Sequence, residues 1–124
     1  MGEFRRSMLE ISKSFASELN EKEMRDAYLE EKTRAKVALQ IKELRKQRGW
    51  SQAELGRRMG KPQGDIGRLE SCTVAGYTLT TLLELASAYD CGLVVEFVPY
   101  EEFLRRTNDL SPAKLQVHAY EETK

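Results

Sequence analysis

Apolar residues recur every three to four positions over most of the chain, the spacing that lays one stripe along an α-helix. Phe4, Met8, Ile11 and Phe15 predict a short amphipathic helix over residues 4–18. Asn20 with Glu23 three residues on reads as an N-cap and capping box. A long helix from Glu21 to Arg48 is then expected, with Met24, Ala27, Tyr28, Ala35, Ala38, Ile41 and Leu44 on its stripe and a gap near Glu31 that suggests a bend. Arg45, Lys46 and Arg48 suit its negative C-terminal end, and Gly49 fits the position just past it.

Two short helices follow in quick succession. Ser51 is an N-cap with Glu54 three residues on, and Gly60 leaves room for about eight helical residues. Lys61-Pro62 restarts the chain, and a second helix runs from Pro62 to Ser71. Ala53, Leu55 and Met59 on the first helix face Ile66 and Leu69 on the second, and Gly56 leaves space where the two must approach. Two short helices joined by a tight glycine-containing turn make a helix-turn-helix unit.

Residues 72–77 read as a loop, and Thr78 caps a core helix through Tyr89, with Leu79, Leu82, Leu83, Leu85 and Ala86 along it and Cys91-Gly92 as its stop. Leu93 to Val98 alternates like a β-strand and ends at Pro99. A helix over Tyr100–Arg106, a turn at Ser111-Pro112 and a polar, mobile end complete the chain. A lone strand cannot satisfy its own backbone. Residues 93–98, with Leu93, Val95 and Phe97 on one face, are therefore expected to pair antiparallel with a second copy in a homodimer. Pairing within the chain to residues 113–119 is the other reading.

Composition bounds the class. The chain has 124 residues, 40% hydrophobic and 32% charged, which suits one helix-rich globular domain. No apolar run reaches the roughly 18 residues a bilayer span needs, and residues 1–15 show neither a secretion signal nor a myristoylation pattern. A cytoplasmic protein without membrane association is expected. Lys plus Arg and Asp plus Glu balance at 20 each, but unevenly along the chain. Residues 1–33 are net −2, residues 34–70 net +6 and residues 71–124 net −4. A basic middle between acidic ends suits a nucleic-acid-binding segment; an ordinary solvated helix face is the alternative.

Residues 41–92, from IKELRKQRGWSQAELGRRMGKPQGDIGRLE through LTTLLELASAYDCG, resemble the lambda-repressor-like, or Xre-type, helix-turn-helix family. The resemblance implies an all-α, five-helix domain over residues 34–92. An N-terminal helical arm (1–33) would precede it, and one C-terminal β-strand used for dimer pairing would follow within residues 93–124. It also implies a sequence-specific DNA-binding regulator, a repressor on an inverted-repeat operator. More loosely, the arm and C-terminal segment resemble antitoxins of type II toxin–antitoxin pairs, which would add a cognate toxin as a partner. By the same resemblance Gln63, Gly64, Asp65 and Arg68 face base edges, Gln52 holds a backbone phosphate, and Arg57, Arg58, Lys61 and Arg48 are phosphate candidates.

Three departures from the family pattern weigh against strong direct readout. Gly64 stands where a base-reading side chain is usual, Gly67 replaces a polar helix former, and Asp65 brings a negative charge to the DNA-facing side. A protein-interaction module that keeps the fold without reading DNA is the alternative function. Catalysis is not expected. His118 is the only histidine, Cys72 and Cys91 are not spaced like a zinc site, and no glycine-rich loop is placed to cradle a phosphate. No cofactor or metal is expected either. Trp50 is expected to pack between the first two helices of the domain.

Overall fold

The computed structural model describes residues 13–72 and 76–121. Among the described residues it contains α1 (Lys13–Asn20), α2 (Lys22–Gln47), α3 (Gln52–Met59), α4 (Gln63–Leu69), α5 (Leu79–Tyr89), α6 (Tyr100–Thr107) and α7 (Pro112–Leu115). Phe4, Met8 and Ile11, the first part of the expected N-terminal stripe, lie outside the described residues. Asn20 does not cap α2. It is the last residue of α1, and Glu21 holds the N-cap position without a side-chain hydrogen bond. Helix α2 is continuous through Glu31 and through residues 33 and 34.

The core is built where α2, α3, α4 and α5 meet. Ile41, Leu44, Leu55, Ile66, Leu85 and Tyr89 form one buried cluster, with Trp50, Met59, Leu69, Leu82 and Val117 packed around it. Three helices end in the same way. Gly49 and Gly60 have φ of +74° and +66°, and Asp90 reaches φ +54° at the end of α5. At each, two backbone N–H groups turn back onto the last carbonyls, as in Trp50 to Arg45 (3.0 Å), Lys61 to Gly56 (2.8 Å) and Cys91 to Ala86 (3.0 Å). These are Schellman ends. The residue that stops α5 is thus Asp90, not the Cys91-Gly92 pair.

The expected β-strand is absent. Residues 91–99 form neither helix nor strand, and no strand occurs among the described residues. The reading in which they pair with residues 113–119 also fails, because that segment is α7 followed by irregular chain. The physical reason is that β-propensity without a neighbouring strand gives no ladder. Val94 and Val95 are left 79% and 68% exposed, and Phe97 is fully exposed.

The C-terminal segment is anchored rather than loose through residue 121. Leu115 is 3% exposed. Gln40 Nε2 donates to the Leu115 carbonyl at 3.2 Å. Val117 is held on both sides, its N–H donating to Gln47 Oε1 (3.0 Å) and its carbonyl accepting from Arg48 (2.6 Å). At the other end of α2, Phe15, Tyr28, Tyr100 and Phe103 form an aromatic group that joins α1, α2 and α6. No described helix is long and apolar enough to cross a membrane.

Candidate nucleic-acid interface

Helix α3 starts where the Ser51 hydroxyl accepts the Glu54 N–H at 3.0 Å. It ends at Gly60, and the chain re-enters a helix after Pro62, an N-cap with φ −62° and ψ 152°. The Lys61-Pro62 turn packs onto α3 at Gly56. A Cβ there would lie 2.5 Å from the Lys61 carbonyl oxygen, so only glycine lets the turn close against α3.

A line of polar contacts runs across this pair. Gln63 Nε2 donates to Gln52 Oε1 at 3.4 Å, and Gln52 Nε2 donates to Glu70 Oε1 at 3.2 Å. Glu70 in turn takes the Arg45 guanidinium at two points, 2.7 and 3.0 Å, while Arg45 also donates to the Trp50 carbonyl at 2.9 Å. The Glu70 side chain is only 4% exposed. A buried carboxylate with both oxygens engaged fixes α4 against α2, and through it the amide of Gln52 is oriented.

Gln63, Gly64 and Arg68 are exposed, and Asp65 is half-buried. Arg68 donates to Asp65 at 3.1 Å, so the one cation of α4 is matched by the acid one turn before it. Arg57 and Arg58 both donate to Glu54 at 2.9 Å, which holds the Glu54 carboxyl below its usual range, chiefly through Arg57. Lys61 lies 3.6 Å from Glu84. Exposed pairs of this kind are worth about 0–1 kcal/mol each. They can therefore be exchanged for phosphate at small cost.

The structure divides the sequence-predicted set. Gln52 and Gly56 are one turn apart on the side of α3 that meets α4. Residues 54 and 58 lie about 200° further round the helix. There Arg58 sits 4.0 Å above the Trp50 ring, beside the α5 residues Glu84 and Ser87. Trp50 itself stacks on Tyr89 of α5 at 5.8 Å, not simply between the first two helices of the domain. Arg48 is committed elsewhere, to the Tyr89 and Val117 carbonyls.

Arg45 and Glu70 are the positioning residues that pattern reading missed. A signal existed: residues 41, 45 and 48 continue the buried stripe of α2, whereas Lys46 falls off it and is exposed.

A protein-family profile described as helix-turn-helix matches residues 41–95. No curated protein and no solved structure matches the chain. Residues 41–95 are thus similar to the lambda-repressor-like, Xre-type helix-turn-helix family.

Proposed function

We propose that the protein is a transcriptional repressor that binds double-stranded DNA as a homodimer on an inverted repeat. The observation that carries this reading is the braced glutamine pair. Gln63, at the start of α4, is exposed and hydrogen-bonded to Gln52, at the start of α3. An α-helix enters the major groove with its N-terminal residues toward base edges, and a glutamine amide can bond the adenine edge bidentately. Gln52 and the free N–H groups around it would hold the adjacent phosphate.

Arg68 reaches guanine or phosphate by leaving Asp65, and Lys61 and Arg57 supply further phosphate contacts. Gly64 contributes no side chain, so backbone contacts and DNA shape carry more of the specificity. Leu93, Val95 and Phe97, exposed in the connection after α5, supply the apolar surface for the second copy. The acidic segments 1–33 and 71–124 would suit a basic cognate toxin, if the repressor is also an antitoxin.

One observation favours a second reading, a protein-interaction module. The only cation of α4 is already paired, and Gly64 presents no side chain to a base.

Selection from a random duplex library at about 0.15 M salt separates the two, with salt held fixed because phosphate contacts are strongly salt-dependent. An enriched inverted repeat, bound about tenfold or more weakly by Arg68→Ala, is the expected result. A folded protein that enriches no sequence would overturn the repressor reading in favour of the module.

A further inference from the structure

What the C-terminal unit of residues 100–121 buries, it buries largely against α2. Leu115 and Val117 pack there, and Phe103 meets Tyr28 edge-on at 6.4 Å. Its polar anchors also end on α2 or the tip of α5. The Tyr100 hydroxyl donates to the Arg25 carbonyl (2.8 Å), Val117 is bracketed by Gln47 and Arg48, and the Tyr120 N–H donates to the Asp90 carbonyl (2.8 Å). Each of these contacts joins groups on opposite sides of one covalent link, residues 91–99.

That link is the odd part of the molecule. It has no secondary structure, can span about 30 Å when extended, and exposes Val94, Val95 and Phe97 together. Its side-chain ion pair, Glu96 with Arg106 at 2.9 Å, lies on the C-terminal side and would travel with the unit.

We infer that two copies exchange their C-terminal units: residues 100–121 of each dock on α2 of the other. The two connections then pass one another at the symmetry axis and cover Val94, Val95 and Phe97. Every docking contact is kept in the exchange, and the apolar surface that a single copy leaves in water is buried. The inference rests on the homodimer proposed above and specifies how it is built.

The test uses full-length chains in which Cys72→Ser and Cys91→Ser remove the native thiols. Gln116 Nε2 lies 3.4 Å from Glu43 Oε1 across the docking surface. Glu43→Cys and Gln116→Cys are placed on separate chains, co-expressed, and treated with a short bismaleimide. Exchange predicts a covalent species of twice the chain mass, which neither variant gives alone. If these chains do not link, while one chain carrying both cysteines links only within itself, the exchange is overturned. Light scattering on the unlinked protein then tells a dimer docked in cis from a monomer, which would remove the dimer as well.

Discussion

Arg45 and Glu70 lie 25 residues apart in the chain and meet in a two-point ion pair, Nε to Oε2 at 2.7 Å and a terminal guanidinium nitrogen to Oε1 at 3.0 Å. The pair ties the end of the candidate recognition helix to α2. Breaking such a pair by removing one partner costs about 3 kcal/mol or more, because the other charge stays behind. Glu70→Ala should therefore destabilise the fold by about 3 kcal/mol in urea unfolding. Replacing both partners together, as Arg45→Met with Glu70→Leu, should recover much of that loss. The double variant would still lack the carboxylate that orients Gln52, so its DNA binding should stay impaired after its stability returns.

Much of this fold is legible in the sequence, and the exceptions share a cause. Ser51, Gly49, Gly60 and Thr78 announce helix ends that the structure bears out, since capping is local chemistry. Asn20 misled because an N-cap requires that the helix begin at the next residue, and α2 begins one residue later, after Glu21. Leu93–Val98 misled because strand propensity is a preference that only a partner strand can realise. In the candidate site, the residues at the starts of α3 and α4 follow from motif spacing. The Arg45–Glu70 brace and the divergence of Arg58 from Gln52 are tertiary facts, and periodicity shows only part of them.

The glycines separate by what surrounds them. A Cβ at Gly56 would meet the Lys61 backbone oxygen at 2.5 Å, and backbone cannot swing aside. Gly56→Ala should cost about 1–3 kcal/mol despite the better helix propensity of alanine. Gly64 faces open space within α4. Gly64→Ala should stabilise by about 0.5–1 kcal/mol. Thermal or urea unfolding of the two variants side by side should give opposite signs. A destabilised Gly64→Ala would mean that the start of α4 is not helical.

Acid should weaken the C-terminal unit through Glu102. Its hydrogen bonds to Arg105 and then to Arg106 lower its carboxyl from the ordinary 4.5 to about 2. A carboxyl depressed in the folded state stabilises fully above its unfolded value and loses that contribution as pH falls toward the folded one. The loss should thus fall between about pH 4.5 and pH 2. Urea midpoints measured across that window should fall for the native chain, and Glu102→Gln should flatten this part of the slope. An unchanged slope in Glu102→Gln would place the acid sensitivity elsewhere.

Arg58 was a phosphate candidate by position, but its guanidinium lies 4.0 Å over the Trp50 ring and pairs with Glu54 on the side of α3 away from Gln52. A cation over an aromatic face at a partly exposed site contributes about 0.5–1 kcal/mol. Arg58→Ala should lose roughly that much stability and shift Trp50 emission to the red. Trp50 is the only tryptophan, so the signal is unambiguous. The same variant should keep the affinity for the selected operator, and its salt slope, because no phosphate contact is lost. Arg68→Ala should do the reverse, weakening operator binding while leaving the emission unmoved. A reduced salt slope in Arg58→Ala would instead mean that Arg58 leaves the indole to meet the DNA backbone, and the DNA-facing surface would then extend along the whole length of α3.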